Sequence, residues 1–507
     1  MLTAAQAGAL DKVAGERYAV SIGTLMENAG RALAERAEAR TSTRRVVVFA
    51  GPGNNGGDGF VAARLLHENG LRVEVTAVAP PGRMTGIARD NLLRWQTLGT
   101  ILEEGAFPEL RAGDVAIDAI FGTGLKRAPE GRPAAAIAWI NDQRVRGCTV
   151  IAADLPSGLD SDTGVTPGAC VRADLTVTFA ALKRGLCQEP GASLAGRIAV
   201  ADIGIPEEAY GALQGPPAEL LEEGQVRALF TPRPAGSFKN DYGHLLVVAG
   251  SWDKSGAAAL VVRGALRAGA GLVTLQSRPA AIARVVMGTP EVMSLALPGA
   301  HHGPLALSDL PHLIEGLQQK TALAAGPGIP RGPETAALLG GVLKEFQGPV
   351  VLDADALNAV AEQPEILHAI AGRGVITPHP GEMGRLTKKS TAEVQADRFG
   401  TAQRFAQEYG VTVLLKGAKT VIGDPDGALW VVPTGNPGLA KGGTGDVLCG
   451  IVGGLLAQRL SPSAAARAGA YLHGLAADRL TARRGQRGIL ASDLPEELAS
   501  IWADWGL

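Results

Sequence analysis

Short apolar runs that read as strands alternate with longer Ala- and Leu-rich runs along most of this chain. No other feature narrows the possible folds so far. In the first half the strand candidates are RRVVVFAG, LRVEVTAVA, VAIDAIFG, CTVIAADLP, ADLTVTFA and GRIAVADIG, with FVAARLLHENG and IARDNLLRWQTLG as helices between them. Strands separated by helices favour parallel pairing, because a parallel neighbour is reached only by a long crossover. The alternation pauses at IPEEAYGALQGPPAELLEEGQVRALFTPRPAGSFKNDYG, which is rich in Pro and Gly and poor in strand signals. It resumes with HLLVVAGS, LVTLQS, TALAAGPG, PVVLDADALNAV, GVITPHPGE, VTVLLKGAKTVIG and GALWVVPTG. The pattern predicts an α/β chain of two domains, residues 1–215 and 226–507, with the boundary within 208–226. Most strands run into a Gly-rich or polar tip. Ligands of open α/β sheets bind at such strand ends, so each domain is expected to carry its own site.

Composition closes off several function classes. Of 507 residues 46% are hydrophobic, enough for sizeable cores, and a net charge of −2 argues against a nucleic-acid-binding surface as the main function. Cys148, Cys170, Cys187 and Cys449 lack C-x-x-C spacing and read as free thiols in a reducing compartment. No basic segment followed by an apolar run opens the chain, and the apolar stretch 447–457 is too short to span a bilayer. The expectation is a soluble cytoplasmic protein acting on small molecules, with no nucleic-acid or membrane partner.

The first polar constellation lies in VVVFAGPGNNGGDGFVAARLL, a strand, glycine loop and helix. Gly51, Gly53 and Gly56 spell G-x-G-x-x-G, and Glu74 follows in the next strand, so a dinucleotide-linked dehydrogenase is one reading. A dinucleotide loop, however, needs bare backbone, and this loop carries Asn54, Asn55 and Asp58. Amides and a carboxylate supply oxygen ligands and directed hydrogen bonds instead. Asp118, Asp154 and Ser157 sit at two further strand ends, and Lys183 ends another. Oxygens of Asn55, Asp118 and Ser157 could hold a hard cation. Each acid read singly could equally cap a helix or turn, and Lys183 could be a solvated surface group.

The second constellation centres on KGGTGDVLCGIVGGLLA. Gly442, Gly443 and Gly445 make a tight turn into an apolar helix, whose free N–H groups attract anions, yet Asp446 stands there. Asp353 and Asp355, His379 with Glu382, Lys416 and Lys419, and Gly326 with Gly328 sit at other strand ends of this half. Taken one by one they read as caps, turns and solvated charges.

Taken together they resemble known families. MENAG (26–30), GPGNNGGDG (51–59), IDAIFGTGL (117–125), DLPSGLD (154–160) and ADLTVTFAALKRGL (173–186) resemble the NAD(P)H-hydrate epimerase domain in order and spacing. The resemblance implies a Rossmann-like three-layer α/β domain that converts the R form of hydrated NADH or NADPH into the S form. It implies substrate contacts at Asn54, Asn55, Gly56, Gly57 and Asp58, at Gly122, Thr123, Gly124, Leu125, Lys126, Arg127 and Ala128, and at Asp154. It also implies K+ at Asn55, Asp118 and Ser157, with Asp118 and Lys183 in catalysis.

LDADALN, TPHPGEM, KGAKTVI and GNPGLAKGGTGDVLCG resemble the ADP-dependent NAD(P)H-hydrate dehydratase domain, a member of the ribokinase-like superfamily. The two domains in this order resemble the bifunctional NAD(P)H-hydrate repair enzymes. The implied nucleotide contacts are Lys416, Gly417, Ala418, Lys419, Thr420 and Gly445. Those to the hydrated dinucleotide are Ala257, Ala258, Gly328, His379 and Asp446, with Asp446 as general base. ADP is the implied co-substrate and Mg2+ the implied ion, held largely by phosphates and water, and a homo-oligomer is expected. The chain departs from the family at Phe238 and Asn240, where a His and a Gly are common, and at Lys441, where a small hydroxyl residue is frequent. A dehydrogenase, a small-molecule kinase and a non-catalytic N-terminal binding module remain the alternatives.

Overall fold

The structure, a computed structural model, describes residues 1–507 apart from 103–106, 216, 300 and 331. It divides into two compact units, Met1–Ala218 and Glu219–Leu507.

The first unit is built on seven strands: β1 (Arg45–Ala50), β2 (Arg72–Ala77), β3 (Ile101–Leu102), β4 (Val115–Ala119), β5 (Thr149–Ala153), β6 (Leu175–Phe179) and β7 (Arg197–Ala201). They pair in the order β3-β2-β1-β4-β5-β6-β7, every pair parallel. Every residue of β4 and β6 is buried, as central parallel strands covered on both faces must be. β4 is accordingly apolar save for Asp118, whereas β6 alternates apolar residues with Thr176 and Thr178, whose hydroxyls are buried and hydrogen-bonded. The order reverses beside β1, and at such a switch the loops after neighbouring strands part to leave a crevice. The loops after β1 and β4 meet there.

The second unit contributes β8 (Glu219–Leu220), β9 (His244–Val248), β10 (Leu272–Ser277), β11 (Met293–Ala296), β12 (Ala322–Ala325), β13 (Val350–Leu352), β14 (Gly374–Ile376), β15 (Thr412–Leu415), β16 (Val421–Gly423) and β17 (Leu429–Val431). Their order is β11-β10-β9-β12-β13-β14-β15-β16-β17-β8. Two features depart from what the sequence predicts. The run VTVLLKGAKTVIG folds back on itself, so that β15 pairs antiparallel with β16, and β16 with β17. The boundary stretch, read as poor in strand signals, supplies β8, which pairs in parallel with β17 through Trp430 and Glu219. Two residues are too few to show a period, and only the waiting edge of β17 makes them a strand.

Helix Thr444–Ala457 is apolar all round and almost wholly buried, and its residues Val447, Leu448, Ile451, Val452 and Leu455 join the largest core. Its start is therefore fixed by a buried rod, which suits a site that must hold a carboxylate in place. No helix of the described residues is long and apolar enough to cross a membrane.

Candidate active sites

In the first unit the chain leaves β1 at Gly51 and enters helix Asn54–Glu68 within three residues. The turn is tight enough that a Cβ on Gly56 would lie 2.0 Å from the Gly51 carbonyl oxygen, which excludes any side chain there. At the tip of β5, Asp154 has φ +63°, and its N–H donates to the Val177 carbonyl at 2.8 Å. Its side chain thus lies against the end of β6, where Oδ1 accepts from Thr178 Oγ1 and Phe179 N, both at 3.1 Å, and from Lys183 Nζ. Lys183 also donates to the Phe179 carbonyl at 2.8 Å and is 3% exposed, so it is a buried ion-pair partner and not a surface lysine.

These groups face a cavity of about 480 Å³. Asn54, Asn55, Asp58, Gly122, Thr123, Gly124, Leu125, Asp154 and Lys183 line it, together with Asp11 from the first helix, which sequence reasoning missed. Gly56 and Gly57 are buried in the turn behind the wall. Lys126 and Arg127 are exposed, and neither they nor Ala128 belong to the wall.

Asp118 and Ser157 form a separate knot beneath the wall. Asp118 accepts from Ser157 N at 2.8 Å, Ser157 Oγ at 2.6 Å and Ile120 N at 3.3 Å. Ser157 Oγ is also 3.3 Å from the Phe121 carbonyl. Burial pushes the Asp118 carboxyl up to about 6, against the pull of these hydrogen bonds. Asn55 has an amide nitrogen that is buried without a partner. Glu74, the acid a dehydrogenase would need, is engaged on β2 by Arg45 at 3.1 Å and Arg72 at 3.0 Å.

In the second unit Gly443, at φ +92°, turns the chain into helix Thr444–Ala457, a conformation that favours glycine. The Thr444 hydroxyl closes the turn on the Leu439 and Lys441 carbonyls, at 2.9 and 3.0 Å. Lys441, the departure from the family pattern, donates to the Arg487 and Ile489 carbonyls and so pins this turn to the segment at the end of the long C-terminal helix. Asp446 is the third helical residue, so it is not the cap of its helix. Burial, followed by the nearby Asp353, pushes its carboxyl up to about 6, with Lys416 opposing.

Lys416, at the end of β15, is drawn inward to Asp353 at 2.6 Å and Glu382 at 3.8 Å. Asp353 is therefore an ion-pair partner and not a helix cap. His379 does cap its helix: Nδ1 accepts from Gly381 N at 3.0 Å and Glu382 N at 3.3 Å. Burial lowers its tendency to protonate. Gly328 lies beside Ala257, since a Cβ built on it would approach that of Ala257 to 3.1 Å, whereas Ala258 points into the core. Lys254, two residues before Gly256, reaches Asp355 at 3.1 Å. The four carboxylates Asp353, Asp355, Glu382 and Asp446 thus share one region with two ammonium groups, Lys416 and Lys254.

The nucleotide loop expected at Lys416–Thr420 is the β15–β16 turn. Lys419 Nζ donates to the Pro433 carbonyl at 2.7 Å, and Thr420 Oγ1 to that of Gly417 at 3.2 Å. Behind the loop lies Arg398, which nothing in its sequence surroundings marked. Its guanidinium donates to the carbonyls of Ala418 at 2.6 Å and Leu415 at 3.0 Å. It is 5% exposed, and burial pulls it down to about 10.

Comparison with known proteins agrees with this division. Residues 23–185 match the family described as YjeF-related protein N-terminus, and residues 245–500 match NAD(P)H-hydrate dehydratase. A bifunctional NAD(P)H-hydrate repair enzyme of Moorella thermoacetica is 45% identical, over 99% of this chain and 96% of its own. A ribokinase-like superfamily protein from Enterococcus faecalis matches 57% of this chain and 96% of its own with a TM-score of 0.50 at 25% identity. The ADP/ATP-dependent NAD(P)H-hydrate dehydratase from Bacillus subtilis, co-crystallized with ATP/Mg2+, covers 57% of this chain and 99% of its own at a TM-score of 0.49 and 32% identity. With an epimerase domain followed by a dehydratase domain, each gathering acids and lysines at its strand ends, the chain belongs to the bifunctional NAD(P)H-hydrate repair enzyme family.

Proposed function

We propose that both units are active and work on one pool of damaged cofactor. The first converts R-hydrated NADH or NADPH to the S form in the cavity walled by Asn54, Asn55, Asp58, Gly122–Leu125, Asp154 and Lys183. The second dehydrates the S form with ADP, releasing AMP and phosphate. The observation that carries the second reading is Asp446 at the start of a buried helix, with its carboxyl raised to about 6. At pH 7 it is mostly ionised yet more basic than an ordinary Asp, which suits a general base. It takes the proton of the C6 hydroxyl as that oxygen attacks the terminal phosphorus of ADP, while the helix-start amides and Lys416 stabilise charge on the phosphoryl oxygens. The C6–O bond then breaks, the oxygen leaves with its phosphate, and C5 gives up a proton to solvent, so that the C5=C6 double bond of the reduced nicotinamide returns. His379, Gly328 and Ala257 would position the ring, and Lys416–Thr420 with Gly445 the nucleotide.

A divalent ion fits the second site, where carboxylates outnumber ammonium groups. Mg2+ held among the nucleotide phosphates would there neutralise the charge that phosphoryl transfer builds up. K+ fits the Asp118 knot: a fully buried carboxylate, the Ser157 hydroxyl and the Phe121 carbonyl lie together without a cationic side chain, and the Asn55 side-chain oxygen lies beside the next residue, Gly122. K+ there would offset the buried charge and hold the two cavity loops in register. Asp118 then acts on the reaction through those loops. A cytoplasmic location suits the four free cysteines, and burial raises the Cys148 and Cys170 thiols to about 12. A homo-oligomer is expected, and light scattering checks it.

The deciding experiment gives the protein a mixture of R and S hydrate with ADP and Mg2+, and follows the return of reduced-nicotinamide absorbance. Full rapid recovery is expected. A fast phase that stops at the S fraction would leave the first unit inactive, and no recovery with ADP or ATP would sink the reading.

A further inference from the structure

The cavity of the first unit holds a group without an assigned chemical task. Asp58 is 8% exposed and forms part of the cavity wall, and among the described residues neither a hydrogen-bond donor nor a cation meets its carboxyl. The charged groups that share the wall are Asp11, Asp154 and Lys183. Lys183 is already committed to Asp154, Thr178 and Phe179. A carboxylate so placed lacks the hydrogen bonds that would hold a buried charge. Burial, then Asp154 and Asp11, accordingly push the Asp58 carboxyl well above its usual range, with Lys183 a weaker opposing pull. A carboxyl enclosed in this way, with no donor or cation on it among the described residues, favours its neutral form and can offer a proton to the substrate. Three carboxyl groups, Asp11, Asp58 and Asp154, face the cavity against the single Lys183, a lining that favours a cationic intermediate over an anionic one.

We propose that Asp58 is the general acid of the epimerisation and that the reaction proceeds by cleavage of the C6–O bond. Asp58 gives its proton to the C6 hydroxyl of the R hydrate. The C6–O bond breaks, water leaves, and the N1 lone pair forms the C6=N1 double bond of an iminium. A water then adds to the other face of C6, the N1 lone pair is restored, and the proton shed returns through solvent to the Asp58 carboxylate. Atoms and charge balance with water as the only co-reactant. Ring opening by loss of the hydroxyl proton would instead call for a base and pass through an alkoxide, which this cavity would repel. The Asp154–Lys183 pair keeps the cavity in shape and is not consumed.

This inference rests on the epimerase reading, and its test separates the two. The full chain and its Asp58→Asn variant are given R hydrate without ADP, and conversion to S hydrate is followed by chromatography after subtracting the spontaneous rate. Asn keeps the shape and removes the acid. The expected result is a loss in kcat of about 10²–10³-fold with KM changed less than about threefold. An Asp58→Asn variant that keeps kcat and loses only KM overturns the acid assignment. If the wild-type chain does not convert the R hydrate, the epimerase reading itself falls. A second measurement needs no variant: in H₂¹⁸O the wild-type enzyme must place one solvent oxygen in each S hydrate formed. Retention of the original oxygen overturns C6–O cleavage even if the variant fails to fold.

Discussion

In the first unit Asp58 sits in a cavity wall with no donor to it among the described residues, and in the second Asp446 sits at a helix start beside Lys416. Both carboxyls are raised by burial, yet the outcomes differ. Asp58 is pushed well towards its neutral form, while Asp446, at about 6, is mostly ionised at neutral pH. One chain would then handle a C6 hydroxyl twice, first giving a proton to the one that leaves and then taking a proton from the one that replaces it. The difference comes from the surroundings: a neutral acid needs only isolation, whereas a buried base needs a nearby cation and amides to keep it ionised. The sharpest way to break this comparison is Asp446→Asn. Dehydration of S hydrate should fall by at least about 10³-fold while R-to-S conversion stays unchanged. Retained dehydration would remove the base from the scheme.

The next largest effect is expected at Asp118→Asn. It removes the charge of the knot and leaves the Asp58 wall in place, so epimerisation should fall by about 10-fold to 100-fold and lose any stimulation by K+. If epimerisation in the wild type is indifferent to K+ against a larger organic cation, the knot is structural only.

The pH dependence tests Asp446 more gently. Dehydration kcat should decline tenfold per unit below about pH 6, because the base must be ionised. Stability moves the other way. The carboxyl is harder to ionise in the fold than at its usual value of 3.8, so its contribution is intact below that value and is lost as pH rises through about 6. The loss is at most about 2–3 kcal/mol, and Asp446→Asn should therefore melt higher than wild type at pH 7.5 but not at pH 4.

What the sequence reveals and what it hides divide along physical lines. Parallel strands buried on both faces leave largely apolar runs, so β1, β4 and β5 are readable directly, and β6 is readable from its β-branched residues. The glycine turn before Asp446 and the acids at the strand tips are readable because special backbone and special chemistry both leave marks. The hairpin of β15 and β16 is not, since its turn carries the nucleotide-loop residues instead of ordinary turn chemistry. Nor is the split between cavity wall and knot: Asp58 and Asp118 are both acids near glycines, and only the fold shows one facing the cavity and the other tied to Ser157. Asp11 stands in a helix of low amphipathic contrast, and its nearness to Asp154 and Lys183 is tertiary.

Arg398 belongs with the hidden residues and carries the smallest effect. It is a buried cation, and no carboxylate among the described residues lies in ion-pair range of it. Its guanidinium instead donates to the Leu415 and Ala418 carbonyls, which bracket Lys416 and Gly417. A Cβ on Gly417 would lie 2.8 Å from that guanidinium, so the loop is laid directly against it. Arg398 therefore sets the shape of the turn that would meet the nucleotide, and it is a positioning residue. Arg398→Lys keeps the charge but cannot serve both carbonyls in one plane. KM for ADP should rise about 3-fold to 10-fold, with kcat at saturating ADP and KM for the S hydrate little changed. A merely structural role would lower the melting temperature and leave the KM for ADP where it was. A fall in kcat without a change in that KM would instead place Arg398 nearer to the chemistry of Asp446 than to the nucleotide loop.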